Sequence, residues 1–400
     1  YKRQGIDHGN YVTKGMAEVL AAYNCALIAD MFGDAPCSQA ALIDENGSPV
    51  YLTPKMDKQE EIYTQAMQYL DDAIADLQKE DLIDPEAQDL LYQGDAEKWL
   101  KLAYGLKARY TMHLLKRSAN KDADMEKVLE YVNNSFESAE EQAAFDVYDA
   151  NNINPLYGFF VARAGLGASE SMRSKLAEYN DPRLSRAFIT KQGTSGKEQA
   201  PGTADNAVYA PNGTPEQGTS KYGTSLFMYS ISAPTLLLSY HELKFLEAEA
   251  LCRLERDAKS ALKDAVVAGL LNAENSFTIS RKELGKTLIN AASSITEAEA
   301  ESYFDNTIEA KYTAEPLKTT MTQKYFALWG ASGEATESYN DVRRMKGLGE
   351  NFIELKNPNS FPLRCPYGNS DTTTNAEVKA AYGNGQYVYS ENVWWAGGSR

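Results

Sequence analysis

The stretch SAPTLLLSYHELKFLEAEALCRLERDAKSALKDAVVAGLL, Ser232 to Leu271, decides how the chain is read. Leu243, Leu246, Ala250 and Leu254 follow the three-and-four spacing of one helical face, and Leu262, Val266 and Leu270 repeat it. Pro234 stands ahead of the first run, where a first-turn proline costs least. The Glu255-Arg256-Asp257 corner is short enough to turn the second helix back against the first. Small residues at Ala248, Ala250, Ala258, Ala261 and Ala265 let the two backbones approach closely. This is the pattern of a tetratricopeptide-type helix pair, which buries its apolar face by stacking on neighbours. From the stretch alone, an ordinary helical hairpin in an all-helical domain reads equally well.

Further helical patterns flank it. Met16, Val19, Leu20, Tyr23, Leu27 and Ile28 form a stripe that ends at Phe32-Gly33-Asp34-Ala35-Pro36, a helix exit. Asp57 with Glu60 reads as an acidic N-cap for a helix presenting Ile62, Ala66, Leu70 and Leu77. Asp95 caps a third helix, with Trp99, Leu102, Leu106 and Tyr110 on its stripe, so Trp99 reads as core. A shorter helix is expected over 125–136, and three more over 297–312, 319–329 and 338–345. Between the helical groups 10–136 and 234–346 lies a loop-rich insertion, 149–230, dense in Gly, Asn, Thr, Ser and Pro with interleaved aromatic residues. Residues 361–400 form a loop-like tail carrying Trp394-Trp395. The expectation is one mainly α domain over 1–400 with little β structure.

Composition narrows the function. A formal charge of −16 excludes a nucleic-acid surface, which needs clustered Lys and Arg. No run of about 18 apolar residues appears, so no membrane-spanning segment is expected. The chain begins at Tyr1 without an initiator Met, so a fragment lacking its native N-terminus is expected. Cys25, Cys37, Cys252 and Cys365 make no CxxC or zinc spacing, and Cys25 and Cys252 read as buried thiols. With 25 Tyr and only 3 His, the balance leans towards a binding surface rather than acid–base chemistry.

Motifs for chemistry are missing. No GxSxG surrounds a serine, and His8, His113 and His241 sit in a ragged terminus or in helical patterns. There is no HExxH, calcium loop, P-loop or GxGxxG, so no catalytic residue, metal ligand or cofactor is assigned. A glycosidase needs only two carboxylates, and 56 acidic residues make any pair uninformative. Aromatic platforms remain, because sugar rings and peptides both pack on Tyr and Trp faces. The candidate ligand contacts are Tyr157, Phe160, Tyr209, Tyr222, Tyr229, Trp329 and Trp395, with at most one of Trp394 and Trp395 exposed.

Several stretches, in order, resemble one family. They are FGDAPCSQA from Phe32, PKMDKQEEIY from Pro54, GDAEKWLKLAYGLKARYTMHL from Gly94, NPLYGFF from Asn154, NDPRL from Asn180, ESYNDVRR from Glu337 and FPLRCPYGNSDTTTN from Phe361. Together with the opening stretch they resemble the SusD/RagB family of Bacteroidetes outer-membrane lipoproteins, closest to its SusD-like branch. The resemblance implies tetratricopeptide-like helix pairs packed against an irregular, loop-rich half. It also implies a non-enzymatic nutrient-binding protein on the cell-surface face of the outer membrane, held by an N-terminal lipid anchor absent from this chain. Its implied partners are a TonB-dependent SusC-like transporter and an oligosaccharide cargo, with peptide as the alternative. A helical-repeat scaffold for a protein partner and a glycosidase are the more distant readings. The motif residues themselves read as scaffold, with Asp181, Arg183, Asp341, Arg343 and Arg344 tying loops to helices through charge-assisted bonds.

Overall fold

Helices dominate the computed structural model, which describes residues 9–81, 85–163, 166–192, 198–203, 205–213, 221–357 and 359–400. In chain order the helices are α1 (Tyr11–Phe32), α2 (Gln59–Asp76), α3 (Ala96–His113), α4 (Lys121–Asn133), α5 (Pro155–Arg163), α6 (Glu170–Glu178) and α7 (Tyr240–Arg253). There follow α8 (Lys259–Leu284), α9 (Glu297–Tyr303), α10 (Glu309–Ala314), α11 (Pro316–Ala327), α12 (Ala335–Leu348), α13 (Asn369–Thr374) and α14 (Ala376–Tyr382). The strands are short: β1 (Ala143–Phe145), β2 (Phe188–Gln192), β3 (Glu198–Pro201), β4 (Thr224–Ser225) and β5 (Thr235–Leu238). Contacts divide the chain into two units. The first is Tyr1–Ser135, Asn340–Asn351 and Ser360–Arg400; the second is Phe136–Tyr339 and Phe352–Asn359.

In the second unit α7 and α8 form the helix pair expected from the opening stretch. Leu243, Leu246, Leu262 and Leu270 are buried on its inner face. The corner turns at Glu255, whose φ of 56° is left-handed. Pro234 does not start a helix: the chain there runs extended into β5, which pairs antiparallel with β1, and Ser239 caps α7 by accepting from the Glu242 N–H at 3.0 Å. The second helix continues past Leu271 to Leu284. On it, a Cβ at Gly269 would stand 2.9 Å from the Ala327 Cβ, so only glycine admits α11 this close.

The segment 149–230 of this unit contains α5, α6 and the antiparallel sheet β3-β2-β4, with Thr190 opposite Ala200 and Phe188 opposite Ser225. Residues 164–165, 193–197, 204 and 214–220 of that segment, like His8, lie outside the described residues. Phe188, Leu226 and Phe227 join Phe245, Leu262, Leu270 and Phe277 in one core. Beside it, Arg183 and Asp181 form a buried pair at 2.7 Å, and Arg183 also donates to the Phe326 carbonyl.

The first unit pairs α1 with α2 and α3 with α4. Helix α1 is long and apolar enough, by length and composition, to cross a membrane. It nevertheless carries Lys14, Glu18 and Asp30, and Val19, Ala22, Ala26 and Ala29 on it are fully buried, as in a core helix. Asp57 is not the α2 cap. Lys58 holds that position, with Glu61 accepting from its N–H, while Asp57 accepts from the Cys37 and Ser38 N–H groups at 2.9 and 2.7 Å. Asp95 does cap α3, accepting from Glu97 and Lys98. Trp99 is core, 1% exposed, with its indole N–H on Asp89 at 2.7 Å.

A buried polar hub closes this unit. Asp30 on α1 accepts from the Tyr63 hydroxyl, from the Trp395 indole N–H at 2.9 Å and from the Asn340 carboxamide at 3.2 Å. Arg343 donates to the Asp30 carbonyl at 2.6 Å and lies over the Trp395 ring. Arg344 pairs with Asp341 at 2.7 Å. Networks of this kind hold elements in one arrangement, since each lost partner leaves a buried polar group stranded.

Candidate ligand-binding surface

Asn154 builds an exposed aromatic element, α5. Its side-chain oxygen accepts from the Leu156 and Tyr157 N–H groups at 2.8 and 3.3 Å, capping α5, and Pro155 follows where it fits a first turn. Its carboxamide nitrogen donates to the Ala233 and Ala331 carbonyls, which moors the cap to the core. Leu156 and Phe160, four apart, face inward. Tyr157 is left half-exposed, and Phe159 and Val161 are 51% and 59% exposed.

Polar groups stand beside Tyr157 and beside Tyr229, the neighbour of Phe160. The Tyr157 hydroxyl donates to Glu283 at 3.0 Å, and burial together with that carboxylate raises its pKa. Phe160 meets Tyr229 edge-on at 5.2 Å, and the Tyr229 hydroxyl accepts from Gln199 at 3.1 Å. Burial raises the Tyr229 pKa, against the Gln199 bond. Both tyrosines therefore stay neutral near pH 7 and keep a donor. Open ring faces with a carboxylate, a carboxamide and phenols at their edges suit a polyol that is apolar on its C–H face and hydroxylated at its rim.

The seven candidates divide. Tyr157, Phe160 and Tyr229 come together at α5. Tyr209 and Trp329 both pack against Phe188, at 5.3 and 5.6 Å, and Trp329 also meets Phe227 at 5.1 Å. Tyr209 is 8% exposed and Tyr222 7%, with Lys221 over the Tyr222 ring, so both contribute mainly to packing. Trp395 is 0% exposed and presents no face to a ligand. Its neighbour Trp394 is the half-exposed member of the pair. It lines a hollow of about 530 Å³ in the first unit with Arg117, Met67, Gln68 and Glu60.

Three residues of this surface are outside the candidate set. Phe159 lies three beyond Leu156, a spacing that alone would put it on the inner stripe, so its exposure is not legible from periodicity. Gln199 and Glu283 carried no local signal. The helical histidines are buried: His113 bonds the Tyr63 hydroxyl at 2.9 Å, and His241 lies 3.1 Å from Glu334. His241 also floors a second-unit hollow of about 420 Å³ lined by Tyr240, Asn272, Asn275 and Glu301.

A SusD-like family model, described as starch-binding and associating with the outer membrane, matches residues 2–367. Among solved structures, a SusD/RagB family protein from Bacteroides thetaiotaomicron is similar at TM-score 0.93 and 67% identity, over 98% of this chain and 82% of that one. A chitin-binding protein shares the fold at TM-score 0.70 and 20% identity, over 97% of this chain and 81% of the other. A SusD homolog from Bacteroides fragilis does so at 0.69 and 19%, over 96% and 84%. No curated protein matches.

Proposed function

Because the chain belongs to the SusD-like family of nutrient-binding proteins that associate with the outer membrane, we propose that it captures an oligosaccharide at the α5 surface. The carrying observation is the half-exposed Tyr157 with its hydroxyl on Glu283, on a helix that also exposes the Phe159 ring. Stacking on Tyr157 or on Phe159 would take the C–H face of a sugar ring, and Glu283 and the Tyr229 hydroxyl would accept or donate at its hydroxyls. In this reading a lipid anchor holds the protein on the cell-surface face, and a SusC-like TonB-dependent transporter receives the cargo. Binding without turnover is its expected mode.

Calorimetry with starch-derived oligosaccharides, chito-oligosaccharides and a mixed-peptide pool tests the cargo. Saturable binding of one glycan class, with no new reducing ends, supports the reading. Binding of peptides alone overturns it. Co-purification with an outer-membrane barrel from detergent extracts tests the partner, and recovery of the chain free of any barrel counts against that part.

A further inference from the structure

Between α1 and α2 the chain makes a hook, residues 33–58, that is polar at its base and apolar at its tip. Every residue from Ala41 to Thr53 is exposed. Leu42, Ile43, Val50, Tyr51 and Leu52 among them range from 44% to 87% exposed. The tip therefore gains little stability from burial; it is a small hairpin closed by the Val50 N–H on the Leu42 carbonyl and the Asp44 N–H on the Ser48 carbonyl, both at 2.9 Å, and it joins the helices through the base. There Ala35 and Asp57 exchange backbone hydrogen bonds at 3.1 and 3.0 Å, and Asp57 gathers the N–H groups of Cys37 and Ser38 and the Ser38 hydroxyl.

At this base the Cys37 sulfur lies 3.3 Å from the Cys25 sulfur, both free thiols and both partly exposed. Closing to the ~2.05 Å of a disulfide needs little more than rotation of the two side chains. We propose that Cys25 and Cys37 form an intramolecular disulfide that ties the hook to α1, made by exchange with a disulfide-bearing oxidant. A chain bound for the outer membrane passes through the periplasm, where such oxidants keep dithiols oxidised.

The exchange balances as two steps. The Cys37 thiolate attacks one sulfur of the oxidant disulfide, and the other sulfur leaves as a thiolate, giving a mixed disulfide on Cys37. The Cys25 sulfur, losing its proton to solvent, then attacks the Cys37 sulfur and expels the second oxidant thiolate. Two electrons pass to the oxidant, and the two protons lost by the cysteines are available to its thiolates. The order follows from the contact: hydrogen bonding with Cys25 holds Cys37 below the ordinary thiol range, against its burial, and the same contact pushes Cys25 up. Cys252 is placed differently, with its sulfur 3.6 Å from the Thr320 hydroxyl.

The test uses the purified full chain, equilibrated with reduced and oxidised glutathione across a range of ratios, then alkylated, digested without reductant and mapped by mass spectrometry. The expected result is loss of two of the four thiols and one cross-linked pair of peptides containing Cys25 and Cys37. In Cys25→Ser the remaining Cys37 should instead trap glutathione as a stable mixed disulfide, which keeps the proposal testable through a second product. Limited proteolysis gives an independent readout, because cleavage at Tyr51 and Leu52 should be faster in the reduced protein than in the oxidised one. Persistence of four thiols at the most oxidising ratio overturns the proposal. So does a bridge through Cys252 or Cys365, or a glutathione adduct on Cys37 that survives in the unsubstituted chain.

Discussion

Two aromatic regions look alike in composition and differ in what surrounds them. The C-terminal tail and the segment 149–230 are both glycine-rich and both carry tryptophan or tyrosine among turns. In the tail, Trp395 is enclosed, its indole N–H held by Asp30 and its face covered by Arg343. In the segment, α5 shows Phe159 to solvent and leaves Tyr157 half-open. What separates them is the polar partner. Trp395 meets a buried carboxylate that needs its proton, whereas Phe159 has no polar atom to satisfy and carries the Arg163 guanidinium 6.0 Å from its ring centre.

That contrast breaks first at Trp395. Trp395→Ala should destabilise the protein by about 3–5 kcal/mol, from the cavity and from the donor lost to Asp30. Urea unfolding followed by circular dichroism reads this directly, while glycan affinity per folded molecule stays unchanged. An unaltered midpoint with weakened binding would return Trp395 to the ligand surface.

Next in size is the buried pair of the second unit. Asp181→Ala strands Arg183, a guanidinium enclosed beside Phe326, and should cost about 3 kcal/mol. Asp181 also accepts from the Tyr303 hydroxyl at 3.3 Å, and burial plus that carboxylate raises the Tyr303 pKa. Removing Asp181 should therefore let Tyr303 ionise at a lower pH, which ultraviolet titration would register. A loss of stability with no change in the tyrosine titration would separate the two roles of Asp181.

Phe159→Ala sharpens the contrast from the other side. Stability should move by no more than about 0.5 kcal/mol, as for an exposed position. Oligosaccharide affinity should fall by about 1–3 kcal/mol if this ring stacks on the cargo. Unchanged affinity with intact folding would remove α5 from the site.

Local pattern was readable wherever local energetics set it. The α7–α8 pair follows from three-and-four spacing and small residues, and the α3 start from Asp95. The rest depends on partners distant in sequence. Asn154 orients α5 through carbonyls 79 and 177 residues away, and the Trp395–Asp30 bond spans 365. In 149–230, Phe188, Tyr209 and Phe227 share the core with Leu176, Ile189 and Leu226, so an aromatic count there overstates the exposed surface. Asp57 shows the same limit at short range. Its spacing to Glu60 resembles a cap, but the N–H groups of Cys37 and Ser38 claim its carboxylate.

The smallest predicted effect lies in the first unit and depends on pH. Asp76, at the end of α2, is buried, which favours its neutral form, but hydrogen bonds from Lys14 and Lys79 outweigh this and lower its pKa. Its folded pKa thus lies below the unfolded value of about 3.9, so its stabilisation is present above pH ~4 and is lost as pH falls through the folded value. Lys14 is shifted the opposite way. Burial lowers its pKa, Asp76 and Glu18 raise it further, and the net rise means its share is lost only as pH climbs through a value above 10.5. Asp76→Asn should therefore cost roughly 1 kcal/mol at pH 7, and the gap to the unsubstituted protein should be narrower at about pH 3 than at pH 7. Urea midpoints at the two pH values measure it. A gap that persists in acid would mean that Asp76 contributes through packing rather than through its charge. Phe159→Ala should show no such pH dependence, because the guanidinium over that ring, Arg163, stays charged across this range.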